Sequence, residues 1–149
     1  MALDIVFATV ADAETIATIL GEVEEYYGGA STPPPLDDVT AALFGPAPAA
    51  VVFLARDGQQ VAGLAAVSRL WPAAGADVSL YLKELYVRAP YRRRGLARML
   101  MAAVHEHARE LGCSRVEWTA DRDNPSALEL YEALGIAPHE GKVFYRSGV

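Results

Sequence analysis

Residues 78–97 read VSLYLKELYVRAPYRRRGLA, and the way this run divides decides the fold. Val78 to Val87 is rich in β-formers and long enough for a central strand. From Gly95 onward the period changes. Leu96, Leu100, Val104 and Leu111 fall near one helical face, and Gly112 suits the position just past a helix end. RVEWTA, residues 115–120, reads as a strand again. A right-handed crossover through the Gly95 helix then sets the Val116 strand parallel to the Leu85 strand.

Working outward, AAVVFLAR and QVAGLAAVSRL flank Asp57-Gly58, a hairpin turn signal between two apolar strands. DIVFA, residues 4–8, reads as a first strand. In the stretch that follows, Ile16, Ile19, Leu20 and Val23 keep helical spacing behind Asp12, a candidate N-cap. GGASTPPPLDD breaks that helix into a surface loop, and a short helix is expected over Asp37 to Phe44. Downstream, Asn124 precedes Pro125 and Gly135 follows ten residues later, the Pro-start and Gly-stop asymmetry of a helix; KVFYR, 142–146, reads as a final strand. The order β-α-α-β-β-β-α-β-α-β describes an α/β (α+β) fold. It implies a mixed, mostly antiparallel sheet with helices on both faces, in one domain over residues 1–149.

The 149 residues suffice for one core without disulfide or metal support. Cys113 is the single cysteine, so no internal disulfide forms. No apolar run approaches the ~18 residues of a membrane span, and the acidic start is unlike a signal peptide, so a cytoplasmic protein without membrane association is expected. A net charge of −6 argues against nonspecific nucleic-acid binding and favours a cationic substrate.

Against that acidic background Arg88, Arg92, Arg93, Arg94 and Arg98 are five of the thirteen basic residues. A strand end, a short turn and a helix opening at Gly95 make an anion site. The first helical amides have no intrahelical partner, the dipole adds positive charge, and guanidinium forks suit phosphate. Gly95 brings the backbone close to a ligand without a Cβ. Neither GxxxxGK[ST] nor GxGxxG is present; what remains is R-x-x-G-x-A over Arg92 to Ala97. The alternative is a solvated basic helix start.

ELYVRAPYRRRGLARMLM, Glu84 to Met101, resembles the acetyl-coenzyme A signature of the GNAT superfamily of N-acetyltransferases, whose loop reads Q/R-x-x-G-x-G/A. NPSALELYEALGI, Asn124 to Ile136, resembles the later helix of that superfamily, N-x-x-A-x-x-x-Y-x-x-x-G-F. YLKELYV is nearest in look to the small-amine group, the diamine and thialysine enzymes, and YRRRGLA with LYEALGI to the aminoglycoside 3-N-acetyltransferases. The resemblance implies transfer of the acetyl group of acetyl-CoA to a small-molecule primary amine, by direct attack in a ternary complex, and a possible homodimer. It implies that the pyrophosphate lies on the loop of Arg92, Arg93, Arg94, Gly95, Leu96, Ala97 and Arg98. The coenzyme arm would run along Leu85, Tyr86 and Val87, with Asn124 and Ala127 as further coenzyme contacts. Protein N-terminal or lysine acetylation, and a coenzyme-binding sensor without catalysis, are the alternatives.

The resemblance puts the general acid at Tyr131; a phenol of pKa ~10 donates a hydrogen bond to a departing thiolate of pKa ~8.5. The alternative for Tyr131 is core packing, and Asn124 serves as a helix cap whether or not it meets the coenzyme. Glu84 is the candidate base. Where the diamine enzymes show Leu-Glu-Asp, this chain has Leu82-Lys83-Glu84, and alternation sends Lys83 and Glu84 to opposite faces unless a bulge intervenes. Glu84 otherwise pairs with an arginine. Glu25, Tyr26 and Tyr27, with Glu22 and Glu24 beside them, form either an anionic, aromatic acceptor site or a solvated helix end. Trp71 stacks on acceptor or packs, and the same alternatives hold for Trp118. His105 and His107 diverge by ~200° on a helix, and no cluster has metal spacing, so no metal is expected.

Overall fold

The run 78–97 divides into a strand, a one-turn connector and a helix. The computed structural model describes residues 2–149, in two compact units that meet in sequence at Thr119 and Ala120. The first unit holds β1 (Leu3–Phe7), α1 (Ala13–Tyr26), α2 (Leu36–Phe44), β2 (Val51–Asp57), β3 (Gln60–Leu70), β4 (Ser79–Val87), α3 (Leu96–Glu110) and β5 (Arg115–Glu117). Single 3₁₀ turns precede α1 at Val10–Asp12 and α3 at Ala89–Tyr91. The second unit holds α4 (Pro125–Ala133).

The five strands lie in chain order β1-β2-β3-β4-β5. All neighbours are antiparallel except β4 and β5, which run parallel with Ser79 opposite Arg115, as the crossover through α3 requires. Val52 and Leu54 of β2, Leu64 of β3 and Tyr86 of β4 share one sheet face, where they bury against Ile16, Ile19 and Val23 of α1 and Val39 of α2. The alternate set, including Phe53, Ala55 and Leu82, turns the other way, and α3 packs against β2, β3 and β4. Leu96, Leu100, Met101, Val104 and Ala108 are the buried stripe of α3.

Two register shifts interrupt the sheet. Ala62 is the extra residue in β3 opposite Ala55–Arg56, and Lys83 is the extra residue in β4 opposite Ala66–Val67. The second shift puts Leu82 and Glu84, which simple alternation would place on one face, on opposite faces. Glu84 sits opposite Ala66, and Tyr86 opposite Leu64, both on the α1 side.

Three sequence expectations are corrected. Asp12 precedes α1, but its side chain makes no cap; it accepts from the Thr9 amide at 2.8 Å and pairs with Arg56, which reaches it from β2. Leu111 leaves the α3 stripe and is 41% exposed, because the helix ends at Glu110 and the chain turns at Gly112. KVFYR forms no strand: Val143, Phe144 and Tyr145 are exposed and unpaired in any ladder. Strand preference is a preference for a half-buried pleated surface, and nothing in the second unit offers one.

Candidate active site

The arginine loop splits into two groups. Arg88 leaves the end of β4 and turns toward α1, where its Nε and Nη2 donate to both Glu22 carboxylate oxygens at 2.8–3.2 Å and its Nη1 donates to the Val61 carbonyl at 3.2 Å. Arg92 also folds back. Its Nε donates to the Val87 carbonyl at 2.9 Å and its Nη2 to the Tyr86 hydroxyl at 3.3 Å; the guanidinium lies 5.4 Å from the Tyr26 ring centroid and 5.5 Å from that of Tyr86. The side chains of Arg93, Arg94 and Arg98 are exposed around the start of α3, with Arg94 over the Tyr91 ring at 5.9 Å.

The backbone of this loop is shaped for its task. Arg93 has φ 64° and Gly95 has φ 77°, two left-handed residues separated by one. Such a conformation costs a non-glycine residue about 1–2 kcal/mol, so Arg93 carries local strain. Gly95 is the N-cap position of α3 and contributes no side-chain cap. Met99 is the first amide to bond back along the helix, to the Gly95 carbonyl at 3.1 Å, which leaves the amides of Leu96, Ala97 and Arg98 without an intrahelical acceptor. No acidic side chain occupies the first turn, and a Cβ built on Gly95 meets no atom within 4 Å. The mouth of α3 is therefore open and positive, and fits a diphosphate.

β5 pairs with β4 only over Ser79–Tyr81. Past Tyr81 the β5 side of β4, through Leu82 to Val87, has no strand neighbour among the described residues. An extended ligand arm running toward Arg92 would meet main-chain groups there, as an added strand does. Leu85 lies on the sheet face opposite Glu84 and Tyr86, paired across from Ala65.

On the α1 side a cleft of ≈ 550 Å³ is lined by Leu20, Val23, Glu24, Ala30, Thr32, Pro34 and Glu84. Its outer wall is the loop after α1, which lies against the helix at Gly21: a Cβ there would come 3.1 Å from the Pro33 nitrogen and 3.3 Å from the Thr32 carbonyl carbon. Burial raises the Glu84 carboxyl above its ordinary 4.5, opposed by a Leu85 backbone hydrogen bond and by the Lys83 charge. The Tyr86 hydroxyl is raised as well, by burial first and then by Glu22.

Of the residues expected to hold an acceptor, Tyr26 meets Tyr27 edge-on at 5.2 Å and Tyr86 at 6.1 Å, beside the Arg92 guanidinium. Glu25 and Tyr27 are exposed and do not line the cleft. Trp71 is 70% exposed, and its Nε1 donates to the Ala76 carbonyl of its own loop at 3.0 Å. Leu20, Val23, Ala30, Thr32 and Pro34 were not legible as site residues. The two helix residues carry the same apolar spacing as the core, and only the fold shows that the proline-rich loop doubles back over Gly21. His105 Nδ1 is tied to the Met101 carbonyl at 2.9 Å, and His107 packs edge-on to Phe7 and Phe53.

In the second unit, the Asn124 Oδ1 accepts from the Ala127 amide at 3.3 Å and Pro125 opens the helix, the expected cap. The helix stops at a left-handed Gly135, with the Gly135 amide on Glu132 and the Ile136 amide on the Tyr131 carbonyl at 3.0 Å. Tyr131 is half-buried on this helix.

A sequence profile of the acetyltransferase (GNAT) family matches residues 16–136, which spans the cleft, the β4 edge, the α3 mouth and α4. The chain belongs to the GNAT family. It is 36% identical over 75 residues to an L-ornithine N5-acetyltransferase of Arabidopsis thaliana, a match covering 50% of this chain and 33% of that protein. It is 37% identical over 98 residues to an aminoglycoside N(6′)-acetyltransferase type 1 of Serratia marcescens, covering 63% of this chain and 67% of the relative. A thialysine N-epsilon-acetyltransferase of Caenorhabditis elegans is 36% identical over 84 residues, covering 55% and 51%. The chain thus spans between a third and two thirds of these relatives' lengths. The aminoglycoside relatives carry the 6′ designation, where the loop and helix motifs had suggested the 3-N group. Among solved structures, an integron cassette protein from the mobile metagenome of V. cholerae superposes with TM-score 0.86 at 26% identity, over 100% of this chain and 94% of that one. An aminoglycoside N-acetyltransferase, AAC(6′)-Iy, solved with coenzyme A, superposes with TM-score 0.78 at 22% identity over 98% of this chain and 95% of that one, a likeness of fold.

Proposed function

We propose that this chain is an acetyl-CoA-dependent N-acetyltransferase acting on a primary amine of a small molecule, with residues 1–149 forming one acetyltransferase domain. The observation that carries the reading is the continuity of β4's unpaired edge with the open, positive start of α3, inside a chain of the GNAT family. The amides of Leu96, Ala97 and Arg98 and the side chains of Arg93, Arg94 and Arg98 would hold the pyrophosphate, and Leu85, Tyr86 and Val87 the arm. Arg92 takes another part, bridging the loop to Tyr26 and Tyr86. The bound thioester supplies an activated acetyl group.

The protein's own work is proton management and exclusion of water. An alkylammonium has a pKa of ~10.4 and must lose a proton before its nitrogen attacks. Glu84, lining the cleft with its pKa raised, is the base, acting directly or through water. Glu84 passes the ammonium proton on to solvent before attack. As the C–N bond forms and the C–S bond breaks, the nitrogen's second proton goes to Glu84 and the departing sulfur takes a proton from Tyr131, the acid of the α4 motif. Tyr131 is reprotonated from solvent, so that one proton is released per turnover. A cleft of ≈ 550 Å³ lies within the usual ~300–1,000 Å³ of small-molecule sites, which favours a small acceptor over a protein one. The named substrates of the relatives, ornithine, thialysine and aminoglycosides, are all amines and support the same class.

Thiol release from acetyl-CoA, followed with a panel of primary amines, tests the reading. Amine-dependent release with formation of the N-acetyl product is expected. Coenzyme binding without turnover on any amine would leave a sensor and refute the transferase.

A further inference from the structure

The chain settles most of its buried or half-buried acids internally. Asp12 is paired with Arg56, and Glu22 with Arg88. The cleft is treated differently. Two of its seven lining residues are carboxylates, Glu24 from α1 and Glu84 from β4, and neither has an ion-pair partner among the described residues. No lysine or arginine lines the cleft. Lys83 is exposed and acts on Glu84 only through its charge, while Arg88 is occupied by Glu22 and Arg92 by the Tyr86 hydroxyl and the Tyr26 and Tyr86 rings. The Glu24 side chain is laid over Gly29, where a Cβ would come 3.2 Å from its Oε2, and the Gly29 amide donates to the Glu24 carbonyl at 2.8 Å. The remaining lining, Leu20, Val23, Ala30 and Pro34 with the single hydroxyl of Thr32, is almost wholly apolar.

We infer that the acceptor is a carboxylate-free diamine or polyamine, with an apolar spacer along Leu20, Val23 and Pro34, one amine at Glu84 and a second ammonium at Glu24. The inference rests on the transferase reading above and specifies its substrate. A monoamine leaves Glu24 unanswered. An α-amino acid with a side-chain amine brings its own carboxylate into a cleft that already holds two and offers no cation, so like charges oppose it. Glu84 takes the proton of the reacting amine; Glu24 holds the far end, a specificity residue and not part of the proton transfer.

The experiment compares 1,4-diaminobutane, n-butylamine and L-ornithine as acceptors for the purified full chain at saturating acetyl-CoA, in parent, Glu24→Gln and Glu24→Asp proteins. Coenzyme A affinity is measured alongside by calorimetry. In the parent, kcat/KM for 1,4-diaminobutane exceeds that for each of the other two by about tenfold or more. In Glu24→Gln the ratio of diaminobutane to butylamine falls by about tenfold, mainly through KM, and Glu24→Asp restores part of it. Glu24 is exposed, so both variants fold, and an unchanged coenzyme affinity verifies this. Turnover of ornithine or butylamine at least equal to that of the diamine, or a ratio insensitive to Glu24→Gln, overturns the inference and leaves the transferase standing. Absence of turnover with every amine, with coenzyme A still bound, overturns the transferase reading and this inference together.

Discussion

Replacing Gly95 separates two reasons for a glycine at the mouth of α3. A built Cβ meets no atom within 4 Å, so crowding by the protein costs nothing; the φ of 77° is the whole penalty. A non-glycine residue in this region loses about 1–2 kcal/mol, with asparagine at the low end and a β-branched residue at the high end. At about 2–4 °C per kcal/mol for a chain of this size, Gly95→Ala lowers Tm by roughly 2–8 °C, Gly95→Asn by less and Gly95→Val by more. The functional cost follows from the amides. If the variant loop relaxes to negative φ, the Leu96–Arg98 amides no longer converge on one point, and one charge-assisted hydrogen bond is lost, about 1.5–3 kcal/mol. That corresponds to roughly 10- to 100-fold in coenzyme A affinity. Differential scanning fluorimetry and calorimetry with coenzyme A measure both, with the exposed Arg109→Ala on the far end of α3 as a control. Coenzyme affinity equal in Gly95→Val, Gly95→Ala and parent would refute the phosphate seat, whatever the Tm values.

Three further outcomes are expected. Glu84→Gln lowers kcat/KM at pH 7 by ~10²–10⁴-fold, partly restored at higher pH, and abolishes the acidic limb of the parent's pH profile; an unchanged profile would exclude Glu84 as base. The same variant gains stability over the parent at pH 7–8 but not below pH 4.5, because a carboxyl raised by burial stabilises the fold while protonated and loses that contribution as pH climbs through its folded pKa; urea melts at the two pH values check the sign. Tyr131→Phe keeps coenzyme affinity and slows turnover, and equal kcat would reduce Tyr131 to a packing residue. His107→Phe raises Tm by several degrees: the buried Nδ1 has no partner, an unsatisfied group costs about 1–3 kcal/mol, and a phenyl ring keeps the edge contacts to Phe7 and Phe53; a lower Tm would contradict this.

The elements that the sequence made legible are those whose signals are local. The Asp57-Gly58 turn, the Gly112 and Gly135 helix stops and the Asn124-Pro125 start each act within a few residues, and each lies where its chemistry requires. The β4–α3–β5 crossover was legible because its period changes at a glycine. What stayed hidden depends on partners distant in sequence. Asp12 has the composition of a cap, yet Arg56 claims it from 44 residues away. KVFYR has the composition of a strand and no ladder to join. In the site, the α3 mouth was readable from R-x-x-G-x-A, but the fates of Arg88 and Arg92 were not, since Glu22 and Tyr26 arrive on another helix. The side to which Glu84 points turned on one inserted residue, Lys83, which composition alone does not mark as a bulge.

That bulge sets the face on which the proposed chemistry stands. In a regular β4 Leu82 and Glu84 would share one face; the inserted Lys83 leaves Leu82 on the α3 side while Glu84 and Tyr86 face α1 and Leu85 turns the other way. The charges of the molecule are sorted along the same strand. At its far end Arg93, Arg94 and Arg98 gather about the start of α3, and at its bulge Glu84 lines the same cleft as Glu24. Arg88 and Arg92 stand between these regions, the first balanced by Glu22 and the second turned onto tyrosine rings, so the two fields are kept from cancelling. With a Debye length of ~8 Å at physiological salt, charges grouped this way act locally, an anion attracted to the helix mouth and a cation to the cleft. An acidic chain with a basic loop is then no contradiction: the loop suits one reactant, and the acidic cleft suits the other.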